Sequence, residues 1–437
     1  MDAIERHCTL RMQDKLIRGL SRKDFTAVVI NTIIGAGIFG LPAAIYAKVG
    51  TYSLLSFVVC ALVIGLFVLC YAEVGSRFDK SGGPYLYARE AFGPLAGFEV
   101  GWLYWIVRVT TIAANTNLFV TYLGLFFPAS DAIRVLLVLA IIALITIINL
   151  IGVKQSATAT NIMTVGKLAP LIAVVAAGMF FVDRNAFQFG AAPAFTSFSE
   201  SVLLLIYAFV GFESAVIVAG ETKDPQRTVP VGLFLALAIV AILYIGIQIV
   251  AIGTVPELAS SQRPIADAAA VIAGPIGAIV VTVGALVSIL GNLNVGLLAA
   301  TRLLFAMSEQ GDLPRPLGKT SQRSHIPTTA ILLTSFAVLI VTLNTSFISA
   351  LAISVVTRLI VYATTCIALP ILRRQEGSPK AEFQIPAAGV VVTLSLVVMI
   401  WLLTNADLTK QVIPIVLAAL FGTVIFVTYR SVNVRPR

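Results

Sequence analysis

The stretch Asn31-Thr32-Ile33-Ile34-Gly35-Ala36-Gly37-Ile38-Phe39-Gly40-Leu41-Pro42 interrupts a membrane-length apolar run at 25–47 with glycines and a proline. A second run, at 199–220, is interrupted in the same way by Tyr207-Ala208-Phe209-Val210-Gly211-Phe212-Glu213-Ser214. A helix broken at bilayer depth frees backbone N–H and C=O groups that lipid cannot satisfy. Such breaks persist only where the freed groups line a protein cavity, and breaks in matching positions of two halves mark a transport site.

Working outward, the chain has 437 residues, of which 58% are hydrophobic and 12% charged. Ordinary soluble domains carry about 25% charged residues, so the composition implies an integral membrane protein. Twelve apolar stretches can be placed, at 25–47, 52–75, 98–127, 132–152, 160–182, 199–220, 230–254, 275–307, 328–344, 347–372, 386–404 and 412–428. Each is near the roughly 20 residues a spanning helix needs. The expected fold is therefore all-α. The breaks fall in stretches one and six, which suggests a 5+5 inverted repeat: a first five-helix unit at 25–182 and a second at 199–372. Stretches eleven and twelve, at 386–428, are peripheral to it, and segments 1–24 and 429–437 flank the whole. The connection at 309–327, with Gly311, Pro314, Pro316 and Gly318, reads as a loop.

The net charge of +9 would suit nucleic acid, but its distribution excludes that partner. With a cytoplasmic N-terminus, twenty-one Lys and Arg fall in cytoplasmic segments and five (Lys48, Arg134, Arg184, Arg263, Lys410) outside. This is the positive-inside pattern, and it puts both termini in the cytoplasm of a cell-membrane protein. Cys8, Cys60, Cys70 and Cys366 lack metal-ligand spacing, so neither a metal site nor a disulfide is indicated. No His/Asp/Glu or Cys/His constellation converges on a site, which argues against an enzyme. His7 and His325 are both expected in the cytoplasm, away from any buried proton relay.

Gly35-Ala36-Gly37-Ile38-Phe39-Gly40 resembles the first-helix break of the amino acid–polyamine–organocation superfamily of permeases. Phe209-Val210-Gly211-Phe212-Glu213-Ser214 resembles its sixth-helix break. The loop from Glu221 through Pro225 and Arg227 to Pro230, and the stretch from Thr301-Arg302 to Gly311-Asp312-Leu313-Pro314, resemble later motifs of the same superfamily in the same order. The resemblance implies alternating access, with helices one, two, six and seven moving against a scaffold of three, four, five, eight, nine and ten. It also implies a small-molecule amino acid substrate, no cofactor, and a proton gradient as driving force.

Physical chemistry agrees with that substrate. Amides at a half-helix N-terminus near Gly35 and Gly37 suit a carboxylate. Carbonyls freed near Ile33 and Val210 suit an ammonium. The resemblance carries these roles to Ile33, Ala36, Gly37 and Val210, with Gly35 and Gly211 supplying the breaks. It places Tyr207 and Phe209 over the substrate, although either could equally be a packing aromatic. Many relatives have serine where Ala36 stands, so one carboxylate hydrogen bond is absent here.

Lys167, in Thr164-Val165-Gly166-Lys167-Leu168-Ala169-Pro170, resembles the fifth-helix lysine that replaces a sodium ion in proton-coupled members. Burial disfavours a lysine's charged form, so proton release is chemically accessible. The bland alternative is snorkelling to the cytoplasmic end, roughly 10 Å away. Arg108 and Arg358 lie roughly 15 Å inside their spans. There an arginine costs at least about 2.5–3.5 kcal/mol unless paired or hydrated. Glu213 is the expected partner for one of them, as a structural or gating pair. Alternatively Arg108 faces the substrate and selects an anionic side chain. Val295 stands where arginine/agmatine exchangers place an aromatic for a cationic side chain, which argues against a cationic substrate. A small, neutral or acidic amino acid remains. Two other functions stay open: a sodium-independent exchanger in which Lys167 is a fixed cation, and an amino-acid sensor with little transport.

Overall fold

A computed structural model of the chain describes residues 21–78, 83–127, 130–152, 157–213, 225–320, 326–375 and 380–433. The described residues are helical throughout, joined by turns and short links. Ser214, most of the loop after it, His7, Cys8 and His325 lie outside them.

The first apolar run forms two helices, α1 (Arg22–Ile33) and α2 (Gly37–Val49). A capping box of Ser21 and Asp24 starts α1. Next come α3 (Ser53–Gly75), a short α4 (Pro84–Phe92) and α5 (Pro94–Leu123). They are followed by α6 (Asp131–Ile151), α7 (Ala157–Gly178) and α8 (Phe195–Phe209). The remainder are α9 (Pro225–Thr254), α10 (Pro264–Glu309), α11 (Thr328–Asn344), α12 (Phe347–Arg374), α13 (Ala388–Leu403) and α14 (Ile413–Asn433).

Two features depart from the hydropathy reading. Helix α4 was not anticipated, because its nine residues are too few and too polar for a spanning pattern; its signals are local, Pro84 at the start and Gly93 at the end. Helix α10 begins eleven residues before the expected 275. It kinks at Ala273 and Gly274, where φ and ψ leave the helical region, so a short lead-in helix precedes the span. Arg302 and Glu309 near its end are exposed, as their expected surface position requires.

Among the described residues six segments are long and apolar enough to cross a membrane, and four shorter apolar helices accompany them. On α14 the residues Ile413, Val416, Leu417, Leu420, Phe421, Val424 and Val427 form one exposed apolar stripe at helical spacing. Such a stripe suits lipid. The opposite side docks on α5, where Trp102 Nε1 donates to the Ala418 carbonyl at 2.8 Å and Phe426 packs on Phe98.

The helices pack as two groups. Helices α2 and α3 lie against α8, and α9 packs on α1 and α3. Helix α5 is the strut of the other group, packed against α10, α11 and α12, with α7 against α10. One ionic cluster ties the groups together. Glu73 on α3 is fully buried and accepts from Arg373 Nε and Nη2 of α12, each at 2.6 Å. The Ile385 amide donates to it at 2.8 Å and Arg77 Nη2 at 3.3 Å. A buried carboxylate with this many donors is strongly held, and removing it strands its partners. Glu73→Ala is therefore expected to destabilise the protein by about 3–5 kcal/mol, read as a lowered melting temperature in detergent. A loss below about 1 kcal/mol would mean that the cluster is solvated.

Candidate functional site

The first break follows directly from the end of α1. Ile34 leaves the helix with φ −70° and ψ 100°, and α2 restarts at Gly37. A helix end leaves carbonyls without intrahelical partners. Lys167, 5% exposed, supplies donors for two of the carbonyls here. Its Nζ donates to the carbonyls of Asn31 at 2.5 Å and Ile34 at 2.9 Å. The side chain thus reaches into the break and does not snorkel.

The second break meets the first. After Phe209 the chain is extended at Val210, and Gly211 takes φ +116°, a region that favours glycine. A Cβ on Gly211 would stand 2.1 Å from the Thr32 carbonyl oxygen. One on Gly37 would stand 2.8 Å from the Ala208 Cα. Backbone lies on backbone at both points, so a side chain at either would wedge the breaks apart.

A cavity of about 190 Å³ opens where they meet. The first break lines it with Ile33, Gly35, Ala36 and Gly37, the second with Tyr207, Val210, Gly211 and Glu213. Arg108, Lys167 and Arg358 complete the set read from the sequence, and Val295 of α10 also lines it. Phe209 is the exception: its fully buried ring packs edge-on against Phe57 and Tyr244 and is not among the lining residues. Tyr207 and Phe209 are two apart on a helix, roughly 200° around the axis, so both cannot face the same cavity.

The charges organise around Glu213. Its Oε1 is paired with Arg358 Nη1, and both side chains are 1% exposed. Its Oε2 accepts from the Gly211 amide at 2.8 Å and from the Tyr362 hydroxyl at 3.0 Å. Arg358 Nη2 also donates to Thr111 Oγ1 at 3.2 Å. Arg358, rather than Arg108, is therefore the partner in this ion pair. Arg108 Nη2 donates to the Tyr104 hydroxyl at 2.5 Å, with its guanidinium carbon 4.8 Å from the centre of that ring. Tyr207 donates to Asn115 Oδ1 at 2.5 Å and to the Thr111 carbonyl at 3.2 Å.

Thr111, Asn115, Tyr104 and Tyr362 were not singled out from the sequence. Helical spacing carried the signal. Positions 104, 108, 111 and 115 share one face of α5, and Tyr362 lies one turn beyond Arg358.

The amino acid permease family model matches residues 20–428. The chain belongs to that family. It is 27% identical to a methylthioribose transporter of Bacillus subtilis over 421 residues, 90% of each chain. It is 26% identical to a branched-chain amino acid permease of the same organism, over 95% of this chain and 94% of the relative. A serine/threonine exchanger, also from Bacillus subtilis, is 28% identical over 82% of this chain and 84% of its own length. Family and relatives are transporters, not enzymes, and the chain is a multi-pass membrane permease.

Among the described residues no group of His, Cys, Asp and Glu is placed to hold a metal ion. The permease's cavity instead offers backbone carbonyls and amides beside buried charges.

Gly211→Ala tests the contact between the breaks. Its φ alone costs roughly 1–2 kcal/mol for a residue with a Cβ, and the Thr32 overlap adds to this. The substitution is expected to lower the melting temperature and abolish transport. Gly190→Ala, with nothing within 4 Å of its Cβ, is expected to change neither.

Proposed function

We propose that this permease carries amino acids across the cell membrane by alternating access. The frame is a twelve-span one with two inverted five-helix units, at 25–182 and 199–372, two peripheral spans at 386–428, and both termini in the cytoplasm. The twelve apolar stretches, the positions of the breaks and the asymmetry of Lys and Arg support it. Helices α1–α3, α8 and α9 form the moving bundle, and α5–α7 with α10–α12 the scaffold.

The observation that carries the reading is the convergence of both breaks on one cavity beside Lys167. Amides at the start of α2, near Ala36 and Gly37, take the substrate's carboxylate, and carbonyls near Ile33 and Val210 take its ammonium. Ala36 contributes no side-chain hydrogen bond to that carboxylate. Tyr207 closes over the bound molecule, and the Arg358–Glu213 pair acts as a gate at the foot of the second break. The relatives that carry branched-chain amino acids and exchange serine and threonine support the amino-acid part of this reading.

Coupling runs through Lys167. Protonated, it holds the Asn31 and Ile34 carbonyls; on losing its proton it can donate fewer bonds, and the end of α1 is released to move. A second reading, obligatory exchange with Lys167 as a fixed cation, is favoured by the serine/threonine exchanger among the relatives.

Uptake of a radiolabelled amino-acid panel into proteoliposomes separates the two. An inward proton gradient is expected to stimulate uptake several-fold without internal substrate. Lys167→Ala is expected to lose that stimulation while retaining binding. Uptake that ignores the gradient but requires preloaded amino acid would establish exchange.

A further inference from the structure

Every amino acid brings an α-carboxylate and an ammonium, and the broken helices offer backbone groups to both. The side chain is then left to the other walls of the cavity, which include Thr111 and Asn115 of α5, Val295 of α10 and Arg358 of α12.

Arg358 is the informative member. It is 1% exposed, and its charge is matched: Nη1 pairs with Glu213, and Nη2 donates to Thr111 Oγ1 at 3.2 Å. Its Nε–H has no acceptor among the described residues. A buried donor in this state is costly, so it calls for an acceptor. Because the guanidinium already has its counter-ion, that N–H asks for a hydrogen-bond acceptor and not for a further charge.

The neighbouring acceptors are already engaged. One Glu213 oxygen is paired with Arg358 Nη1, and the other takes the Gly211 amide and the Tyr362 hydroxyl. Thr111 Oγ1 shares a hydrogen bond with Ser354 Oγ at 2.8 Å besides the one from Arg358. Asn115 Oδ1 accepts from Tyr207. A ligand methyl set against the Nε–H would leave it unmatched, whereas a hydroxyl or amide oxygen would satisfy it. The cavity, about 190 Å³, exceeds only modestly the about 150 Å³ that accommodates benzene, which suits a compact side chain.

The geometry points to a small neutral amino acid with a polar side chain, serine, threonine or asparagine, as the substrate, its side-chain oxygen accepting from the Nε–H of Arg358. This rests on the amino-acid transport proposed above. Arg358 then acts as a specificity residue that tells an oxygen from a methyl of the same shape. Since the same guanidinium holds Glu213, a fitting side chain also touches the pair assigned to the gate.

Matched pairs isolate this contact. Threonine and valine have nearly the same shape, as do serine and α-aminobutyrate, and asparagine and leucine. Uptake of all six, with aspartate alongside, is measured for the full-length protein in proteoliposomes. Binding of the same set is measured in detergent, where the gate need not cycle. In at least one pair the polar member is expected to be carried and bound about tenfold or more better than its apolar partner, the scale of one buried donor left unpaired. Arg358→Lys keeps a positive charge opposite Glu213 and removes the Nε–H. It is expected to cut the preference in binding to about twofold or less, even where uptake is lost. The wild-type comparison decides the substrate class whether or not that variant folds. Wild-type protein that takes the apolar members as well as their partners would overturn the inference, assign the donor to water, and leave amino-acid transport standing. Aspartate ahead of every neutral amino acid would overturn the neutral class. A preference unchanged in Arg358→Lys would overturn the role given to Arg358. If no amino acid binds or enters, the transport reading and this inference fall together.

Discussion

The constraint on which this architecture depends is that hydrocarbon offers nothing to an unpaired peptide group. Breaking α1 from α2 and ending α8 at Phe209 exposes backbone polarity in the interior, and each break has its own remedy. Lys167 brings an ammonium from another helix to the Asn31 and Ile34 carbonyls. Glu213 folds back to accept the Gly211 amide and is itself held by Arg358 and Tyr362. The buried charges are thus the means by which a broken backbone survives there. Because the remedies are side chains rather than helix hydrogen bonds, some of the freed groups stay within reach of the cavity.

Much of this was legible in the sequence, for specific reasons. Glycine clusters inside apolar runs have few physical explanations, so the breaks at Gly35–Gly37 and Gly211 could be read directly. An arginine at mid-membrane demands a partner, which made Glu213 conspicuous. The choice between Arg108 and Arg358 was not legible, because it depends on how α5 and α12 rotate about their axes when they pack. Phe209 shows the same limit from the other side. A motif places a residue in a neighbourhood, while the 100° step of the helix decides which way it faces. Neutral polar residues were the hardest: Thr111 and Asn115 look like ordinary interhelical hydrogen-bonders until the neighbouring Arg108 fixes the face they share. Helix α4 escaped because hydropathy windows are tuned to spans and it is not one.

The interior is also economical in its aromatic contacts. Tyr207 packs edge-on against Phe347 while its hydroxyl is held by Asn115, so one residue spans apolar packing and a polar anchor. Tyr362 does the same, with Phe67 and Tyr71 around its ring and Glu213 at its hydroxyl. The Tyr207 ring thereby holds its part of the cavity wall in place, because neither end of the side chain can relax alone.

The Glu73 cluster has a mechanical consequence. Its donors come from Arg77 on the same helix, Arg373 at the end of α12, and the Ile385 amide in the link towards α13. All of these bonds converge on two oxygen atoms. Separating α3 from α12 at this end loads the two Arg373 bonds and the Ile385 bond together, while the Arg77 bond moves with α3. The junction is built like a catch, in which the bonds that cross from α12 and its link share one carboxylate. Its trip point is set by how readily water can enter to solvate one carboxylate. Any motion that parts these two helices has to undo this junction first, and none of its residues is among those lining the central cavity.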